Sequence, residues 1–167
     1  MLPDLSTLAH GNAYQSYFAY GSNLWPEQMR DRLGELFTET EQLTTFQPRV
    51  ATLPHHRLNF SMLGSNGSYY ANVVPAPGEV LGVIYQLNSR ALEILDRFEA
   101  GYQRQLMQVF DANNKPYEAV VYVANAKTYT ESGKPDFEYL QRILRGGKHH
   151  GLLENYIRQI EIVSQWG

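Results

Sequence analysis

Cysteine is absent from this 167-residue chain, which excludes a disulfide scaffold, a Cys-ligated zinc site, an iron–sulfur cluster and a thiol nucleophile. Long apolar runs are missing too: stretches such as Val80 to Tyr85 fall far short of the about 20 residues a bilayer span needs. Met1 to Ser16 carries Asp4 and no basic-then-apolar run, so no secretory signal and a cytoplasmic location are expected. Positive charge is sparse. With 14 Lys and Arg against 17 Asp and Glu, the net charge is −3. No long basic run offers a footprint for a phosphate backbone, so neither nucleic acid nor membrane is an expected partner.

A chain of this length buries roughly 70% of its unfolded surface on folding, enough for a hydrophobic core without metal or disulfide support. The abundant aromatic residue is tyrosine, with 12 Tyr against 7 Phe and 2 Trp. Tyrosines suit half-buried strands. They also suit a cleft, where the ring is an apolar wall and the hydroxyl a directional hydrogen bond.

No repeat or low-complexity segment divides the sequence, so one domain is expected over 17–167, preceded by an extension over 1–16. Tyr14 to Tyr20 reads as a strand entering the turn Gly21-Ser22-Asn23, and Pro26 suits the first position of a helix running to about Leu33 or Leu36. Short β-type runs follow at Phe46 to Thr52, His56 to Met62, Tyr69 to Val74 and Val80 to Leu87. Leu63 to Ser68 and Pro75 to Gly78 separate them as turns. Asn88 or Ser89 is placed to cap a helix through Ala91 to Glu99, ended by Gly101. Strands at Arg104 to Phe110 and Tyr117 to Val123 flank a hairpin loop. Asp136 is placed to cap Phe137 to Arg145, Gly146-Gly147 to stop that helix, and Leu152 to Val163 to form the last one. Consecutive strands with helices between and after them make an α+β fold, and about six short strands are enough to close a small barrel.

Two places carry possible chemistry. In Tyr17-Phe-Ala-Tyr-Gly-Ser-Asn-Leu-Trp-Pro26 a glycine lets backbone approach a ligand, and free N–H groups at a helix start attract an anion. An ordinary strand-to-helix turn capped by Asn23 has the same pattern. It lacks the glycines of a dinucleotide fingerprint and the Gly-Lys-Ser/Thr of a P-loop. The second place is Glu99, in helical phase with Leu92, Leu95 and Phe98 at about 3.6 residues per turn. An inward carboxylate loses hydration, its pKa rises, and it becomes suited to exchanging protons near neutrality. A structural acid paired with an arginine such as Arg104 has the same spacing. Asp96 and Glu93 are expected to face solvent. His10, His55-His56 and His149-His150 lack metal-ligand spacing and read as surface residues, so no metal site is expected. No Gly-x-Ser-x-Gly elbow is present, so Ser22 is a weak nucleophile candidate.

Phe18-Ala-Tyr-Gly-Ser-Asn-Leu24 followed by Leu95-Asp-Arg-Phe-Glu99 closely resembles the γ-glutamylcyclotransferase family, from about Tyr17 to about Val163. The pairing is specific because the acidic motif lies roughly 70 to 80 residues beyond the turn. The resemblance implies a small mixed β-barrel with flanking helices. It implies intramolecular aminolysis: the α-amine of a γ-glutamyl group attacks its own γ-carbonyl, releasing 5-oxoproline and a free amino acid or amine. Such a reaction needs no cofactor and no metal, only a curled substrate, a proton acceptor and a stabilised oxyanion. Residue by residue, Glu99 matches the catalytic glutamate. Tyr20, Gly21, Ser22, Asn23 and Leu24 match the substrate-binding loop, and Tyr102, Tyr122 and Tyr139 match substrate-lining tyrosines. The other eight tyrosines are assigned to strands and surfaces. Many relatives have Glu-Gly where this chain has Glu99-Ala100-Gly101. The implied partner is a small γ-glutamyl molecule, and the expected state is a monomer or homodimer. A γ-glutamylamine cyclotransferase and a non-catalytic module binding a γ-glutamyl-like metabolite are the alternatives.

Overall fold

A computed structural model of the chain describes residues 14–42 and 47–167. The first 13 positions of the expected extension, His10 and the start of the strand expected at Phe46 lie outside the described residues.

Five strands form a closed barrel: β1 (Tyr14–Ala19), β2 (Arg49–Leu63), β3 (Tyr69–Asn88), β4 (Tyr102–Asp111) and β5 (Pro116–Ala124), in the order β1-β3-β2-β4-β5. β1 runs parallel to β5, with Tyr17 opposite Val120, and antiparallel to β3, with Tyr17 opposite Tyr85, so the barrel is mixed. The helices are α1 (Pro26–Leu33), α2 (Glu35–Gln42), α3 (Ser89–Phe98), α4 (Phe137–His149) and α5 (Glu154–Val163), with a 3₁₀ turn at Ser22–Leu24. The α+β fold and the barrel agree with the sequence reading.

Among the described residues the strand count is five rather than about six because turn-like residues do not break the ribbon. Pro75 to Gly78 lies inside β3 and His55 inside β2, where the pairing jumps from Pro54–Glu79 to His56–Pro75. His55 (φ 61°) and Gly78 (φ 122°) absorb the irregularity in left-handed backbone. A bulge bends and twists a paired strand where the same residues in isolation would end it.

α1 ends at Leu33, one of the two expected limits, but one helix is added to the expectation and another runs longer. Gly34, at φ 57°, ends α1 at Leu33 and starts a second helix, α2, whose Phe37 is buried edge-on against Tyr85. α4 runs through Gly146-Gly147 to His149 instead of stopping there. A Cβ on Gly146 would lie 2.5 Å from backbone atoms of Leu24 and Trp25. The glycine therefore serves close packing of α4 on the 3₁₀ turn, not termination. Asn88 caps α3 as expected, its side chain accepting from the Ala91 N–H at 2.8 Å. Asp136 occupies the N-cap position of α4 without capping it; its carboxylate accepts from the Ser68 hydroxyl instead.

The core is continuous from the barrel into the helices and includes Phe18, Phe60, Leu53, Ile84, Leu95, Leu140 and Ile143. Fully burying a side chain of this kind is worth about 1.5–3 kcal/mol. No helix of the described residues is long and apolar enough to cross a membrane.

Candidate functional site

One end of the barrel opens into a cleft of about 340 Å³ where β1, β3, α3, β5 and α4 meet. Tyr20, Gly21, Ser22 and Asn23 line it from the turn after β1, Glu99 from the end of α3, Tyr102 and Tyr122 from the β4–β5 pair, and Tyr139 from α4. Leu24 does not line the cleft. Its side chain is wholly buried in the core, because the 3₁₀ turn that puts Asn23 on the cleft side rotates the next residue inward.

Glu99 is the residue that follows the last turn of α3, and its side chain is 15% exposed. Its Oε1 accepts from Asn23 Nδ2 at 3.0 Å and from Arg32 Nη1 at 3.3 Å. Burial pushes the carboxyl above its ordinary value; the charge and hydrogen bonds of Arg32 and the Asn23 amide pull the other way without cancelling it. Arg104 is not the partner of Glu99. It forms a two-pronged pair with Asp96, at 2.8 and 2.6 Å, and Asp96 also accepts from the Tyr122 hydroxyl at 2.7 Å. Asp96 is therefore engaged rather than simply facing solvent. Burial raises its proton affinity, but Arg104 and Tyr122 outweigh that and hold it below the usual carboxylate range. Two neighbouring carboxyls are thus driven apart in pKa, and Glu99 is the one whose proton affinity is raised.

Asn23 is held on all sides. Its amide donates to Glu99 and to the Tyr17 hydroxyl at 2.9 Å, and its oxygen accepts from Gln28 at 2.9 Å and Arg32 at 3.0 Å. Gln28 also donates to the Ser22 hydroxyl at 2.6 Å. Gln28 and Arg32 are four residues apart on α1 and so share a face. A buried amide with every donor and acceptor used has one orientation, and it fixes the direction of the Glu99 carboxylate.

The tyrosines differ in what their hydroxyls do. Tyr20 donates to the Tyr122 carbonyl at 2.5 Å and Tyr102 to the Ala71 carbonyl at 2.6 Å. Tyr139 accepts from the Ala71 N–H at 3.0 Å, so its own proton is left to donate. Ala71 is available to both because the β2–β3 register shifts there, from Asn59–Asn72 to Met62–Tyr70. Burial, followed by the Glu99 charge, pushes Tyr17 and Tyr20 far above the usual phenol range; burial also raises Tyr102, Tyr122 and Tyr139. All stay neutral donors.

Tyr17 and Tyr70 also line the cleft, against the sequence assignment of both to strand and surface positions. Arg32, Gln28 and Arg142 were not singled out from the sequence. Their signals were spacing alone: Gln28 and Arg32 one turn apart on α1, and Arg142 one turn beyond Tyr139 on α4. His150 is not a plain surface residue. Its Nε2 lies 2.8 Å from the Leu24 carbonyl and 3.3 Å from the Tyr85 hydroxyl; a carbonyl only accepts, so that nitrogen carries the proton. Among the described residues no cluster of His, Asp or Glu could hold a metal.

The molecule is thus a small α+β barrel with one polar, tyrosine-lined cleft and a desolvated carboxyl at its floor. Residues 17–141 match the family described as Gamma-glutamyl cyclotransferase, AIG2-like, and the chain belongs to that family. A solved structure named Gamma-glutamyl cyclotransferase is 26% identical, with a TM-score of 0.72 over 89% of this chain and 86% of that one. An uncharacterized protein from Homo sapiens, loc79017, is 27% identical with a TM-score of 0.71 over the same shares, 89% and 86%. YkqA from Bacillus subtilis superposes with a TM-score of 0.78 over 96% of this chain and 57% of that one; at 18% identity the likeness is one of fold. No curated protein sequence matches the chain.

Proposed function

We propose that the protein is a γ-glutamylcyclotransferase that closes a γ-glutamyl group on itself, releasing 5-oxoproline and a free amino acid or amine, with Glu99 as the acid/base. The observation that carries this reading is the desolvated Glu99 carboxyl facing the Gly21–Asn23 turn across one cleft, aimed by Asn23 and Arg32. The glutamyl chain lies curled against the turn with its α-ammonium at Glu99. Glu99 takes one ammonium proton, and the freed amine lone pair attacks the γ-carbonyl carbon. The Tyr139 O–H is placed to donate to the carbonyl oxygen as negative charge builds there. When the intermediate collapses, the bond to the leaving nitrogen breaks and Glu99 returns its proton to that nitrogen; the second proton of the attacking nitrogen passes to the departing amine, so 5-oxoproline leaves with one N–H, the amine leaves as an ammonium and Glu99 is again a carboxylate. Nucleophile and electrophile share one molecule, so positioning supplies much of the acceleration.

The test is 5-oxoproline release from γ-glutamyl-alanine by the parent and by Glu99→Gln. Removing a positioned general base typically costs about 10²–10⁴ in rate. The parent rate should also fall as pH drops through the raised pKa of Glu99, because the protonated carboxyl cannot accept a proton. Turnover by Glu99→Gln at the parent rate would remove Glu99 from this role.

A further inference from the structure

The open end of the cleft is built differently from its floor. Arg32, Phe98 and Arg142 line both the cleft and a shallower groove of about 280 Å³ that continues outward from it. The ring-forming half of a γ-glutamyl substrate must sit by Glu99, so the departing half, whose length varies, points toward this mouth.

The two arginines there are not equivalent. Arg32 is committed: it pairs with Glu99, donates to Asn23 and lies over the Phe98 ring at 4.9 Å from the centroid. Arg142 is half-buried, and the one hydrogen bond it makes is to the neutral Gln28 Oε1 at 3.3 Å. No ion pair among the described residues includes it. Apart from tyrosines, the ionisable groups lining the cleft are Glu99, Arg32 and Arg142, so with Glu99 balanced by Arg32 the cleft lining keeps one positive charge, on Arg142; the outer groove adds Asp31, which is exposed to solvent and forms an ion pair with neither arginine. A guanidinium offers five donors in a planar fork suited to a carboxylate, and most of those on Arg142 remain unused.

Resting on the cyclotransferase reading of the same cleft, we infer that Arg142 binds the free carboxylate of the departing amino acid and is the residue that selects acid-bearing leaving groups over neutral ones. A γ-glutamyl amino acid carries two carboxylates and one ammonium, a net −1 that complements the +1 of the cleft lining. A γ-glutamyl alkylamine lacks the second carboxylate and leaves Arg142 without a counter-charge.

The experiment compares γ-glutamyl-alanine with γ-glutamyl-alaninamide, which have nearly the same shape and differ by one charge, using the full chain. A charge-assisted hydrogen-bonded pair predicts a parent preference for the acid of about 10- to 100-fold in kcat/KM. Arg142→Gln should bring that ratio to near one, chiefly by raising KM for the acid, because the contact is made alike in ground and transition states. Arg142→Lys should keep part of the preference. A parent ratio near one overturns the inference without needing any variant to fold. An equal loss on both substrates in Arg142→Gln also overturns it, since Arg142 would then serve the glutamyl half or only steady Gln28. No turnover of either substrate by the parent has a different signature: the cyclotransferase reading fails, and this inference falls with it.

Discussion

Single side chains in this protein are set by partners far away in sequence. Glu99 takes its orientation from Asn23 and Arg32, 76 and 67 positions earlier, and that pairing, not the end of α3 alone, turns a surface-length side chain into a cleft-floor carboxyl. His150 is another case. Wedged between the Leu24 carbonyl and the Tyr85 hydroxyl, it is pushed by burial below its ordinary pKa of 6.5, with the Leu24 hydrogen bond opposing and His149 adding. In the unfolded chain this imidazole protonates near its ordinary value, in the folded one only at lower pH. Between the two the unfolded state holds more protons, so stability falls as pH drops through that window. Denaturant titrations from about pH 8 to about pH 5 should therefore show a shallower acid loss for His150→Gln than for the parent. Identical pH slopes would show that His150 does not carry this term.

At the level of helices and strands, the instructive pair is Gly146 and Gly147 in α4. Alanine favours a helix interior over glycine by about 0.8–1.0 kcal/mol, so propensity predicts a gain at both. A Cβ at Gly147 would meet Ile157 and Leu152 at 3.5–3.6 Å, ordinary contact, whereas at Gly146 it would strike the Leu24–Trp25 backbone at 2.5 Å. Overpacking of this kind costs about 1–3 kcal/mol. Gly147→Ala should hold or raise the denaturant midpoint and Gly146→Ala should lower it. A Gly146→Ala protein as stable as the parent would mean that α4 does not press on the turn. The same contact explains why glycines that look like a helix stop in sequence are a helix continuation in space.

Across the whole molecule, the cleft exists because barrel closure brings β1 beside β5 and stacks α1, α3 and α4 around the turn after β1. A ligand seated there touches elements from both halves of the chain, which an unfolded chain cannot assemble. Binding is therefore linked to global stability. With Glu99→Gln to slow turnover, γ-glutamyl-alanine at 100 times its dissociation constant should add about 2.7 kcal/mol, a rise in Tm of about 5–10 °C for a domain of this size. A flat melting temperature at saturating ligand would place the binding site elsewhere. The closed barrel also protects strand edges, which lets strands as long as the 15 residues of β2 and 20 of β3 carry prolines and bulges without fraying.

Features that depend on near neighbours were legible in the chain itself: the strand-turn-helix at Tyr17 to Pro26, the Asn88 cap and the α+β order of elements. Each rests on interactions within a turn or two, and those are written in local sequence. The helical phase proposed for Glu99 was not among them, since Phe98 is half exposed and Glu99 follows the helix. Strand continuity through Pro54–His56 and Pro75–Gly78 was not legible, because it comes from pairing across β2 and β3. Nor was the choice of Arg32 over Arg104 as the partner of Glu99, the retreat of Leu24 into the core, or the uncompensated Arg142, which meets Gln28 across 114 positions. Those depend on where barrel closure places groups that are remote along the chain, and a hydrogen bond or ion pair follows distance in space, not separation in sequence.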